Sequence, residues 1–398
     1  MTKLTVGMIG VPTDVHFKRR LSKIDRTQFH VTIISPHYFK DNSYEGLEVV
    51  SVDFNQFKIL RWFQFFYQHF LFMKKKDFDI IYCFGALPSM CWLAGVVARK
   101  CLVVTTIGSD VFPDEQLKTT WLVKKNIEWL LRSADRVTTL SLAMEKRLVN
   151  YFKVNPQRIE RDFLDIEDIW YNKDIQSSRL KSFEKSSPII LSPRMLDSLY
   201  QQAEIIKSLS LVKKKFPNVL LIQTGFGMNK DYFQECQALI KVQGLESNVL
   251  FLEKFNDASE LIRFFDLSDM VIMIPKSDGM PSSLIESWAR KKPTILSNIY
   301  NYEDGFDRKL YVKTHINPKA IAETICEVME SQSLRKEIVS KGMAFLMDQH
   351  NKMKELVVFR DLKANNKKSF FSKVLRFVLF ISFIVEPLLS YLKRRTNS

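Results

Sequence analysis

Cysteine is scarce and unpatterned in this chain: Cys83, Cys91, Cys101, Cys236 and Cys326 form no C-x-x-C pair. That excludes a disulfide-stapled secreted scaffold and suits a reducing cytoplasm. No His/Cys cluster has zinc-ligand spacing, so no structural metal is expected. The first ten residues, Met1 to Gly10, lack the long apolar region of a signal peptide and read as a first strand. Internal sequence repeats are absent, and charge balance is lacking as well. Fifty-nine Lys and Arg against 44 Asp and Glu give a formal charge of +15. Such an excess favours an anionic partner: nucleic acid, acidic lipid or phosphorylated substrate. With 46% hydrophobic and 26% charged residues, the composition is globular and excludes a disordered chain.

At 398 residues the chain exceeds one ordinary core, and two domains are expected. Short apolar strands alternate with longer amphipathic stretches, the mark of a parallel α/β sheet. The first series of strands falls at residues 4–9, 30–34, 47–52, 80–84, 102–106 and 136–140. The second falls at 189–192, 219–224, 249–252, 270–274 and 293–296. Between them, 166–187 is polar and poor in sheet formers and reads as a linker. The expected division is 1–165, then 188–350, with 351–398 as a return helix and an apolar, basic tail. In open α/β sheets, ligands bind at the carboxyl ends of the strands.

One such end carries the most informative segment, Asp278-Gly279-Met280-Pro281-Ser282-Ser283-Leu284-Ile285-Glu286. It follows the apolar strand 270–274 and opens a helix. Gly279 allows backbone geometry that other residues resist, and Pro281 suits a first helical turn. Asp278 therefore sits in the loop, and Glu286 lies about one and a half turns into the helix. Free N–H groups at the helix start would receive an anion such as a diphosphate. The plain alternative is a strand–loop–helix with a capping Asp.

The segment resembles the E-x7-E region of retaining glycosyltransferases of family 4, with Asp in place of the first Glu. Other segments agree in order. Leu191-Ser192-Pro193-Arg194 ends the first strand of the second series, and the resemblance makes Arg194 a ligand of the donor diphosphate. A guanidinium suits that role because its planar donors meet two phosphate oxygens together. The family often places a Lys five or six residues later, where this chain has Leu199 and Tyr200. Gln223-Thr224-Gly225-Phe226-Gly227 matches the family's Gly-x-Gly turn, and Glu253 falls in a loop set against the nucleotide base. In the first half, Thr105 to Asp110 resembles the family's T-x-x-G-S-D loop, although Ile107 stands where many relatives have His. Ser133 to Ser141 resembles a further, mostly structural, family segment. Gly10-Val11-Pro12-Thr13-Asp14 is a degenerate form of the family's first Gly-rich loop, and His16 is the imidazole nearest it in sequence.

The resemblance covers about residues 4–345 and specifies no sugar. It implies a GT-B fold, two Rossmann-like doubly wound domains facing across a cleft. It implies a metal-independent retaining transferase, with a nucleotide sugar as substrate and no cofactor. Asp278 and Arg194 would serve the reaction centre. Glu286 would hold the ribose, and Gly279, Met280, Pro281, Ser282, Ser283, Gly225 and Glu253 would complete the donor site. Gly10, His16, Gly108, Ser109 and Asp110 would face an acceptor, a lipid-linked or other glycan of cell-surface polysaccharide. Two alternatives stand beside this reading: a sugar-nucleotide epimerase of the same fold, and a catalytically degenerate binding protein. Nucleic-acid binding accounts for the charge but not for the acid pair.

Asp77-Phe78-Asp79 is nominally a metal-binding D-x-D. It precedes a strand, whereas a metal-binding carboxylate pair belongs at a strand's carboxyl end, so no metal site is assigned. Two stretches suggest an anionic membrane surface. Residues 57–70 are unusually aromatic, and at helical spacing Lys58, Arg61, Gln64, Gln68 and His69 gather on one side. A helix packed on the first sheet explains them equally. Residues 374–392 hold thirteen Leu, Ile, Val and Phe, worth roughly −4 to −8 kcal/mol on insertion. Arg376 and Glu386 each offset about 3 kcal/mol of this, and Pro387 interrupts a helix. The expectation is peripheral or monotopic attachment at the cytoplasmic face of the plasma or inner membrane, with Lys393-Arg394-Arg395 on acidic lipid.

Overall fold

The computed structural model describes residues 3–36, 39, 43–51, 58–87, 89–98, 100–108, 110–112, 120–162, 166–172, 183, 187–225, 229–252, 258–299 and 309–352. The chain divides into two compact units, the first ending at Phe163 and the second spanning Leu164–Lys352.

The first unit is built on β1 (Leu4–Ile9), β2 (Phe29–Ile34), β3 (Ser43–Tyr44), β4 (Leu47–Val50), β5 (Ile80–Phe84), β6 (Cys101–Thr105), β7 (Arg136–Thr139) and β8 (Ile159–Arg161). Their order is β3-β4-β2-β1-β5-β6-β7-β8, parallel except for β3 against β4. Among the described residues the connecting helices are α1 (Val15–Ser22), α2 (Lys58–Lys76), α3 (Ser89–Val97), α4 (Trp121–Ser133) and α5 (Leu142–Asn150). β5 and β6 are buried along their whole length, as expected of inner parallel strands. On one face Val6, Met8, Ile33 and Tyr82 pack with Phe17 and Leu21 of α1. On the other, Ile81, Cys83 and Val104 pack with Phe66, Met73, Trp92, Ile127 and Leu130.

The second unit orders β9 (Ile189–Ser192), β10 (Leu220–Thr224), β11 (Val249–Leu252), β12 (Met270–Met273), β13 (Thr294–Ser297) and β14 (Val312–Thr314) as β11-β10-β9-β12-β13-β14. All its described pairings are parallel. Its helices are α6 (Gln202–Val212), α7 (Lys230–Val242), α8 (Ala258–Leu267), α9 (Ser282–Ala289), α10 (Pro318–Glu330) and α11 (Gln332–Lys352). Ile190, Leu221, Ile272 and Ile295 form the sheet side of a core with Ile205, Leu209, Ile321 and Ile325.

Several sequence expectations change here. His69, placed with the polar residues of α2, is fully buried. It lies three residues after Phe66 and four before Met73, the spacing of a core-facing stripe, whereas Tyr67 and Leu71 are exposed. Within the stretch read as a linker, Asp168–Tyr171 makes a short helical turn whose Trp170 is buried edge-on against Phe265, 5.2 Å between ring centres. Asp79 braces β1 and β5: it accepts from Thr5 N–H and Oγ1 at 2.9 and 2.8 Å, and Lys100 reaches it at 2.9 Å. Burial pushes its carboxyl up, but these partners outweigh burial and hold it below the ordinary value. The tail from Met353, with residues 374–392, and position 57 lie outside the described residues. Among the described residues no helix is long and apolar enough to cross a membrane.

Candidate functional site

The second sheet reverses direction at β9, which has β10 on one side and β12 on the other. Such a reversal opens a crevice at the carboxyl ends of the two diverging strands. Arg194 follows β9 by two residues, and Asp278 lies in the loop after β12. The two side chains meet there: Arg194 Nη2 donates to Asp278 Oδ2 at 2.8 Å, and each side chain is 14% exposed.

Neighbouring groups hold each partner in place. The Arg194 carbonyl accepts from Gln223 Nε2 at 2.8 Å and Thr224 Oγ1 at 3.1 Å, both from β10. The Arg194 guanidinium stacks on the Tyr200 ring, 4.4 Å from its centre. Burial raises the Tyr200 phenol pKa, with Arg194 opposing. Asp278 Oδ1 accepts the Gly279 N–H at 2.8 Å. Its loop is pinned upstream, where Ser297 Oγ donates to the Pro275 carbonyl at 2.7 Å and Lys276 N–H to the Leu199 carbonyl at 2.9 Å.

Helix α9 starts beside this pair. Ser283 Oγ donates to the Pro193 carbonyl at 3.2 Å and joins the helix start to the turn that carries Arg194. Pro281 is the N-cap, one place earlier than expected, and lends no side-chain cap to the first turn. Gly279 does not adopt a positive φ, so the loop does not need its left-handed freedom. Met280 and Glu286 are each 5% exposed, with Glu286 inside α9. Ser282 is half-buried. Gly225 continues β10, its N–H bonded to the Leu252 carbonyl at 2.6 Å. Glu253 and the Phe226-Gly227 part of the turn lie outside the described residues.

In the first unit the reversal lies at β1, flanked by β2 and β5. Gly10 follows β1, and a Cβ there would sit 2.1 Å from the Phe17 ring. Its missing side chain therefore serves the packing of α1 on the sheet. His16 is half-buried near the start of α1. Gly108 takes φ 117°, a value other residues resist. Asp110 is fully buried and accepts from the N–H groups of Ala86, Ile107 and Gly108 at 2.8, 3.0 and 3.0 Å. Burial raises its pKa against those donors. It therefore ties the loops after β5 and β6 together as a buried brace. Ser109 lies outside the described residues.

Sequence reasoning missed Tyr200, noted there only as an absent Lys; its ring contact with Arg194 depends on the fold of the turn. It also missed Arg20, buried in α1 and paired with Asp162 just past β8. A basic residue inside an apolar helical stripe was the available cue.

Two open α/β sheets, with a cation–acid pair and a helix start at the reversal point of the second, are those of a GT-B fold. The family description Glycosyl transferases group 1 matches residues 174–344, and Glycosyltransferase Family 4 matches residues 15–161. The chain belongs to this glycosyltransferase family. It is 27% identical to the O-antigen biosynthesis glycosyltransferase WclY of Escherichia coli over 260 residues, 63% of this chain and 69% of that protein. Among solved structures, a glycosyltransferase from Rickettsia africae superposes with a TM-score of 0.69 at 16% identity, over 97% of this chain and 100% of that one. Anabaena HepE in complex with UDP gives 0.68 at 18% identity, over 87% and 95%.

Proposed function

We propose that the protein is a retaining, metal-independent glycosyltransferase that moves a sugar from a nucleotide-sugar donor to a lipid-linked or other glycan acceptor. The observation that carries this reading is the Arg194–Asp278 pair beside the start of α9. Breaking the glycosidic bond of the donor leaves growing negative charge on the diphosphate. Arg194 and the first-turn N–H groups of α9 would take up that charge. Glu286 would accept hydrogen bonds from the ribose hydroxyls, and Asp278 would position the sugar. A nucleoside diphosphate as ligand agrees with the UDP bound by HepE. Assembly of a cell-surface polysaccharide or lipopolysaccharide agrees with the role named for WclY. The basic excess and the apolar 374–392 stretch favour work at the cytoplasmic face of a membrane.

The test is incubation of purified protein with a panel of nucleotide sugars and lipid-linked acceptor extracts, with the product anomer assigned by NMR. Transfer with the donor's anomeric configuration is expected. Inverted product would overturn the retaining mechanism, and donor isomers formed without acceptor would establish an epimerase instead.

A further inference from the structure

We propose that Lys276 supplies the second positive charge for the donor diphosphate. The inference rests on the donor-site reading above and adds a residue to that site. In this structure the charge of Arg194 is matched by Asp278. The start of α9 contributes only about half a unit charge. A diphosphate brings one negative charge per phosphate, so the site as built falls short of the charge it must hold.

Two other cations of the second unit are committed elsewhere. Arg290 is chelated by Asp266 and donates to the Trp170 and Asn172 carbonyls. Lys292 is held by the Asp266 and Ser268 carbonyls. Both lie near the amino end of β13, opposite to the site.

Lys276 differs on each count. Its backbone is fixed between the two halves of the site, N–H to the Leu199 carbonyl at 2.9 Å and two residues before Asp278. Its side chain is exposed and makes no ion pair among the described residues. Leu199 and Tyr200 are the positions where a cation is missing from the chain that follows Arg194. The contact with Leu199 brings the backbone of a lysine beside that place from a different segment. A compact ammonium on a flexible stem reaches a phosphate without fixed geometry.

The experiment titrates the full chain with UDP and with uridine, in wild type, Lys276→Gln and Lys276→Arg. UDP affinity is expected to fall about tenfold in the Gln variant, uridine affinity to stay constant, and Arg to restore most of the loss. An exposed side chain makes the fold insensitive to these changes, which an unaltered melting temperature checks. If the Gln variant keeps the wild-type preference for UDP over uridine, Lys276 is not in the site and only this inference fails. If wild type binds no nucleoside diphosphate among UDP, GDP and ADP, the donor-site reading fails, and the inference with it.

Discussion

At the scale of single residues, the proposed donor site asks Arg194 to share its charge between an acid of its own chain and an incoming phosphate. Asp278 holds the guanidinium at 2.8 Å in a pocket where both are mostly buried, so the pairing is worth more than a surface contact. Donor binding must therefore exchange one anion for another. Asp278→Asn is expected to bind UDP several-fold more tightly, because its neutral amide competes less well for Arg194. The same variant should transfer sugar more slowly. Equal or weaker UDP binding would mean that Arg194 never leaves Asp278. Arg194→Ala should lower kcat by about two to three orders of magnitude with less change in substrate binding, because the phosphate charge develops in the transition state. Both residues were legible in the sequence, since each follows an apolar strand. Their hydrogen bond was not, because it spans 84 positions and depends on β9 lying beside β12.

At the scale of elements, the start of α9 is only as well placed as its far end is anchored. Trp288 near that end is fully buried, donates from Nε1 to the Leu310 carbonyl at 3.1 Å, and meets Phe345 edge-on at 5.6 Å. Gly342 on α11 makes room for it: a Cβ there would lie 2.3 Å from Trp288 Cδ1. Gly342→Ala removes a helix-interior glycine, which alone would stabilise by up to about 1 kcal/mol. Overpacking against a buried indole costs about 1–3 kcal/mol and should win. Chemical denaturation should show a net loss, together with a raised donor KM as α9 shifts. Gain of stability would show that Trp288 has room to move. The long inner strands were readable because apolar runs of this kind announce themselves. β3, β8 and β14 were not: each has two or three residues, and their stability comes from the neighbouring strand, not from local pattern. His69 was misread for the reverse reason, since its polarity outweighed its position in the helical stripe.

At the scale of the whole molecule, each unit has a core of its own, and every described residue of the proposed donor site lies in the second. Unfolding is therefore expected in two transitions that respond to different perturbations. The first unit contains the buried Arg20–Asp162 pair, with side chains 4% and 3% exposed. Burial pushes the Asp162 carboxyl up, and Arg20 pulls it down. Removing one member leaves the other charge buried and uncompensated, a loss of about 3–5 kcal/mol. Arg20→Met should thus lower the transition of the first unit by that amount. A nucleoside diphosphate that binds the second unit at a hundred times its Kd should raise only the other transition, by about 2.7 kcal/mol. Tryptophan fluorescence separates the two: Trp92 and Trp121 report on the first unit, Trp170 and Trp288 on the second, read in single-Trp variants. A UDP-induced shift in the Trp92 signal of equal size would show that the units unfold as one. Confinement of the shift to Trp170 and Trp288 would place donor binding wholly within residues 164–352.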